Sequence, residues 1–174
     1  AIDASDIGVI VGPNGAGKST TLKAIFGLLT VTGGTVTFGG QDVTNFEADR
    51  LVPMGLSFVP QEHNVFTSMS VQENFEMGAF VRRDDITESL SRPKLLMLDE
   101  PSAGLSPRYM MEIFEQVVKI NAAGVGILMV EQNARQALAF ATKGFVLTSG
   151  QNRFTGTGQE LLDDPDVAKS FLGG

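Results

Sequence analysis

The chain has no cysteine, no tryptophan, one tyrosine and one histidine in 174 residues. Without thiols it can build neither a disulfide scaffold nor a zinc–thiolate site, and that composition fits a cytoplasmic protein. Cations are scarce as well. Thirteen Lys and Arg stand against 20 Asp and Glu, for a net charge of −7 and a pI near 4.6. Nucleic-acid binding needs clustered cations facing the phosphate backbone, so no such partner is expected. No apolar run approaches the roughly 18 residues of a membrane span, and no leader pattern precedes the first apolar segment. Membrane attachment is therefore expected only through a partner. What is present, 43% hydrophobic residues in a chain of this length, is enough for one domain with a real core.

Glycine is the exception to this sparseness, and its placement carries chemistry. Residues 12–19, Gly-Pro-Asn-Gly-Ala-Gly-Lys-Ser, complete the phosphate-loop pattern GxxxxGK[ST]. The glycines at 12, 15 and 17 lack Cβ atoms, so the backbone can curl and aim successive N–H groups at phosphate oxygens. Lys18 is then placed over the β and γ phosphates, and the Ser19 hydroxyl can take one position on Mg2+. Flanking sequence agrees. Residues 7–11 read as a short buried strand and residues 19–29 as a helix, giving the strand, loop, helix order that such a loop requires. Gly12, Pro13, Asn14, Gly15, Ala16, Gly17, Lys18, Ser19 and Thr20 are the candidate nucleotide-binding residues.

A second chemical segment is Leu-Leu-Met-Leu-Asp-Glu-Pro at 95–101. An apolar run ending in two carboxylates is the pattern of a buried parallel strand whose C-terminal end faces a ligand. Asp99 is suited to hold Mg2+, directly or through water, and Glu100 to polarise an attacking water as general base. Either carboxylate alone could instead cap the helix that starts near Ser106.

Four blocks together resemble the ATP-binding subunit of an ABC transporter: residues 12–20, Val-Pro-Gln-Glu at 59–62, residues 95–101, and Ser-Ala-Gly-Leu-Ser-Pro at 102–107. They occur in the family's order and span nearly the whole chain. The resemblance implies an ATPase with ATP and Mg2+ as ligands, a dimer with a second ATP-binding subunit, and transmembrane permease subunits as partners. It places the protein at the cytoplasmic face of the membrane. It also implies that Gln61, otherwise an ordinary polar loop residue, touches Mg2+ and the lytic water and couples the site to the permease. Most members carry a switch histidine at the position of Gln132; the version here, Met-Val-Glu-Gln-Asn at 129–133, resembles ATPases of branched-chain amino-acid uptake. Importers of urea or short amides share it. Glutamine can donate a hydrogen bond to a phosphate but cannot be protonated, which leaves more of the base chemistry to Glu100. The alternative is that Gln132 is a polar residue opening the next helix.

The family's Leu-Ser-Gly-Gly-Gln signature is missing, since no glycine lies between Gly78 and Gly104 and Leu90-Ser91 runs into Arg92-Pro93. The departure predicts that part of a helical arm is left out of the chain between Asp84 and Leu90. A true deletion would instead favour a regulatory ATP-binding module; a non-transport ABC ATPase is the other alternative. Adenine over guanine follows from the resemblance alone, because the sole tyrosine, Tyr109, falls on a later helix.

Along the chain the pattern predicts an α/β P-loop NTPase with a RecA-like core, a mostly parallel sheet flanked by helices, and a partial helical subdomain. Residues 1–70 and 95–174 make up the core and 71–94 the remnant of the subdomain, all within one ABC-type domain. Strands are expected at 34–38, 56–59 and 125–130. Helices are expected at 70–80, from Ser106 to Gly124, from Asn133 to a close at Lys143 and Gly144, and from Asp164 to Gly173. A hairpin turns about Gly150. The stripe of Met110, Met111, Ile113, Phe114, Val117 and Val118 reads as core packing, His63 as an exposed loop residue, and the run at 82–85 as a solvated helix end.

Overall fold

The computed structural model describes residues 1–61 and 93–171. Its elements run β1 (Ile7–Val11), α1 (Lys18–Ile25), β2 (Thr37–Phe38), β3 (Gln41–Asp42), α2 (Ala48–Met54), β4 (Leu56–Val59) and β5 (Leu95–Asp99). They continue with α3 (Pro107–Ala122), β6 (Gly126–Glu131), α4 (Ala134–Phe140), β7 (Lys143–Thr148), β8 (Gln151–Gly156), α5 (Gly158–Asp163) and α6 (Pro165–Phe171). The helix expected at 70–80, His63, the charged run at 82–85, the break expected between Asp84 and Leu90 and nearly all of the expected helical remnant lie outside the described residues.

Six strands form one sheet in the order β4-β5-β6-β1-β7-β8, parallel except for the last pair. Successive side chains of a strand point to opposite faces, so a strand covered on both sides reads as a continuous apolar run. That accounts for the wholly buried β1 and β6. Val9, Val11, Leu96, Leu98, Ile127 and Met129 turn to one face, where Phe114 and Val117 of α3 and Ala137 of α4 cover them. Ile10, Met97, Leu128 and Val130 turn to the other, against Leu22 of α1 and Leu51 of α2. Phe114 is fully buried and its ring lies 5.2 Å from that of Phe140. Burying such a side chain contributes about 1.5–3 kcal/mol. The P-loop NTPase fold predicted from the strand and helix pattern is present, with helices on both sheet faces.

Details depart from the sequence pattern. Only residues 37–38 of the strand expected at 34–38 pair, with β3, across the turn at Gly39 and Gly40. Helix α4 ends at Phe140, and Lys143 and Gly144 open β7 instead of closing the helix. On α3, Phe114 and Val117 are buried while Met111 and Val118 face solvent. Ser106 occupies the N-cap position of α3 without a capping hydrogen bond, whereas Asn133 Oδ1 caps α4 by accepting from Gln136 N. The β7–β8 hairpin turns through Ser149 and Gly150, both with positive φ, as a two-residue turn of right-handed sheets demands. Helices α2 and α5 were not anticipated, although Thr157 and Glu160 form a reciprocal capping box at the start of α5.

At the N-terminal ends of the strands, Asp6 accepts from Lys143 Nζ at 2.7 Å, Thr142 Oγ1 at 3.1 Å and Asp3 N at 2.8 Å. Burial pushes the Asp6 carboxyl up, but the Lys143 hydrogen bond with the Asp3 and Thr142 contacts outweighs it and holds the group below its ordinary 3.8. The stabilisation is therefore present above pH 3.8 and fades as pH falls below it. Asp6→Asn is expected to melt at a lower temperature than the wild type at pH 7. Thermal melts taken through progressively more acid buffers below pH 3.8 should show the gap closing.

Candidate functional site

β1, β5 and β6 lie side by side and in parallel, so their C-terminal ends deliver Val11, Asp99 and Glu131 to one edge of the sheet. Beyond Val11 the chain curls through residues 12–17 into α1. A Cβ at Gly12 would run into the carbonyl oxygen of Leu147 on β7, so only glycine lets the loop pack against that strand. Gly17 takes φ 93° at the N-cap of α1, a left-handed conformation that side chains disfavour. The Gly150 amide donates to Ala16 O at 3.0 Å and ties the β7–β8 turn to the loop.

Lys18, 5% exposed, donates from Nζ to the carbonyls of Gly12 at 2.9 Å and Pro13 at 3.3 Å, and lies 3.8 Å from Glu100 Oε1. Asp99 shares its sheet face with Met97, the side on which α1 packs. Strand alternation thus carries its carboxylate to Ser19, whose Oγ donates to Asp99 Oδ1 at 2.6 Å. Hard oxygens from one hydroxyl and one carboxylate beside a phosphate loop fit Mg2+, which takes few protein ligands and keeps phosphate and water in its shell.

Glu100 leaves the strand with φ 49°, in the left-handed region, and closes a turn by accepting from Ala103 N at 3.0 Å. For a non-glycine residue that conformation costs about 1–3 kcal/mol. It swings the carboxylate toward the loop, where Gln61 Nε2 donates to Glu100 Oε2 at 3.0 Å. Gln61 and Glu100, 39 residues apart, therefore meet. Gln132 is exposed and shares with Glu100 a cleft of about 270 Å³ that Ser102, Gly104, Met110 and Glu131 also line. Residues 12–20 do not line it. Glu100 is the residue common to this cleft and to the Lys18–Asp99 cluster.

Glu131 lines the same cleft and is a candidate site residue that the sequence pattern missed. It is 1% exposed and accepts from Ser102 N at 3.0 Å and from Gln132 N at 3.2 Å. Burial pushes its carboxyl above the ordinary range against the pull of the Ser102 hydroxyl and of these amide hydrogen bonds, and the charge of Glu100 adds to the rise. A carboxylate closing an otherwise apolar strand run, Gly-Ile-Leu-Met-Val-Glu, was the available signal.

A parallel sheet with a glycine-rich loop at its strand ends, a lysine inside that loop and a serine–aspartate pair beside it define a P-loop nucleoside triphosphatase. The comparisons narrow the class. Residues 1–92 match the family described as ABC transporter. A probable branched-chain amino acid transport ATP-binding protein of Archaeoglobus fulgidus, LivF, is 31% identical over 99% of this chain and 89% of its own length. A high-affinity branched-chain amino acid transport ATP-binding protein of Pseudomonas aeruginosa, BraG, is 32% identical over 97% and 88%. A lipopolysaccharide export system ATP-binding protein of Acidithiobacillus ferridurans, LptB, is 29% identical over 94% and 84%. In the ADP conformation, an ATP-binding cassette of an ABC transporter superposes with a TM-score of 0.76 at 22% identity, over 99% of this chain and 90% of that one. The chain belongs to the ABC transporter family, as a transporter's ATP-binding subunit and an ATPase. The alignment with the Archaeoglobus protein extends over 210 residues, more than the 174 here, so that relative carries residues inside the matched region that this chain lacks.

Gly12→Ala, which sets a methyl group against the Leu147 carbonyl, is expected to destabilise the fold by about 1–3 kcal/mol, the range for strain of this kind. Urea unfolding followed by circular dichroism measures it.

Proposed function

We propose that this chain hydrolyses ATP to energise uptake of branched-chain amino acids through a transmembrane permease. The observation that carries the reading is the meeting of Lys18, the Ser19–Asp99 pair and the Gln61–Glu100 pair at one sheet edge. The substrate class rests on the names of the Archaeoglobus and Pseudomonas relatives. The lipopolysaccharide-export relative, at 29% identity, supports export as a second reading.

In the proposed reaction, backbone N–H groups of residues 12–20 cradle the phosphates and Lys18 neutralises charge on the β and γ oxygens. Ser19, Asp99 and Gln61 would hold Mg2+, which when bound supplies Lewis-acid stabilisation of the departing ADP oxygen. Glu100 takes a proton from water as the water oxygen attacks the γ phosphorus, and the bond to the β-phosphate oxygen breaks in line. Gln61, held by Glu100, stands where it can orient the same water. Gln132 can donate to a γ-phosphate oxygen and has no proton to exchange. A second ATP-binding subunit, identical or not, completes the site in a dimer. The permease subunits hold the assembly at the cytoplasmic face of the membrane; among the described residues no helix is long and apolar enough to cross it. Residues 1–174 form one ABC-type domain in this proposal.

Lys18→Ala removes a charge-assisted contact worth roughly 1.5–3 kcal/mol and is expected to weaken ATP binding about 10- to 100-fold. Glu100→Gln should keep ATP affinity and lower kcat by about 100-fold or more. Calorimetric titration and phosphate release measure the two, and wild-type turnover in Glu100→Gln would remove the base assignment. Uptake of radiolabelled leucine by cells carrying or lacking the gene tests the transport role. Loss of leucine uptake on deletion supports import, and unchanged uptake with altered outer-membrane lipopolysaccharide supports export.

A further inference from the structure

Glu131 is buried at the end of β6, on the face occupied by Met129 and Ile127, two and four residues earlier. An apolar residue in its place would avoid the cost of taking a carboxylate out of water. It would also leave the amides of Ser102 and Gln132 without this acceptor. The two oxygens divide the work: Oε1 accepts from Ser102 N at 3.0 Å and Oε2 from Gln132 N at 3.2 Å. One rigid, planar group therefore bridges two segments 30 residues apart in sequence.

Each segment is itself stiff. Ser102 lies inside consecutive turns, with Ala103 N donating to Glu100 O at 3.0 Å and Leu105 N donating to Ser102 O at 3.2 Å. Gln132 leads into α4 through the Asn133 cap, and its carbonyl accepts from Ala134 N at 3.0 Å. Holding the Ser102 amide consequently holds the turn on which the strained Glu100 backbone rests.

We propose that Glu131 is a positioning residue whose carboxylate clasps the Ser102 and Gln132 amides and so sets the Glu100 turn and Gln132 at a fixed separation across their shared cleft. The proposal rests on the reading of this edge as the ATP-hydrolysing site. Glu131 acts through the two segments it joins.

Glu131→Gln is the test, because the side chain keeps its size but its amide nitrogen must face one of the two backbone donors. Expected are a kcat for ATP hydrolysis lower by about tenfold or more, a KM for ATP within about twofold of wild type, and faster hydrogen exchange at the Ser102 or Gln132 amide. Glu131→Ala should quicken exchange at both. Wild-type kcat with unchanged exchange would overturn the proposal. So would a collapse of melting temperature together with lost ATP binding, which would make Glu131 a folding residue. If the wild-type chain binds ATP without turning it over, the general-base reading of Glu100 fails, and the clasp is decided by exchange alone. Unaltered exchange at both amides in Glu131→Ala then overturns it.

Discussion

The site depends on the parallel pairing of β5, β6 and β1. Parallel strands in adjacent positions end at the same edge, so the register Asp99 to Val130 and Val11 to Glu131 brings three chain segments together. No local interaction could do this, because the residues involved are separated by most of the chain. Apolar burial on both sheet faces supplies the driving force. The hydrogen-bond ladder supplies the alignment.

Given that alignment, alternation of side chains sorts the carboxylates. Asp99 turns to the α1 face and meets Ser19; Glu131 turns to the α3 and α4 face and accepts from the Ser102 and Gln132 amides, with the Ser102 hydroxyl beside it. Glu100 stays with neither face, because its left-handed backbone bends it out of the strand and toward Lys18 and Gln61. Three acidic groups within one small region thus occupy three environments. Asp99 is held by a hydroxyl, Glu100 faces a buried ammonium, and Glu131 lies in a setting that disfavours its charge. Such separation of environments is what allows neighbouring carboxylates to do different work.

The Lys18 ammonium lies between this acidic edge and the carbonyls of its own loop. In a chain of net charge −7 that buried cation carries much of the local balance. The opposite end of the sheet has its own ion pair, Lys143 with Asp6, and it serves a different purpose. There the contacts hold the N-terminal stretch against β7 and leave the C-terminal edge free of structural ion pairs other than that of Lys18 with Glu100, among the described residues.

Much of the site was legible in the residues themselves. The loop at 12–19 could be read because its chemistry needs particular residue types at fixed spacing, and Asp99 and Glu100 because carboxylates are rare at the end of an apolar run. Glu131 has the same signature, but its role is not legible in the sequence, since the Ser102 and Gln132 amides it accepts from carry no mark there. Met111 and Val118 satisfy helical periodicity yet face solvent, because the width of the buried stripe on α3 is set by what packs against it. Sequence by itself determined the strand–helix alternation, the phosphate-loop pattern and the identity of the acidic groups, all of which follow from local backbone preference and side-chain chemistry. Only the tertiary structure decided that Gln61 reaches Glu100, that Ser19 reaches Asp99 and that Glu131 joins two loops, because strand order and register are properties of the whole packed sheet.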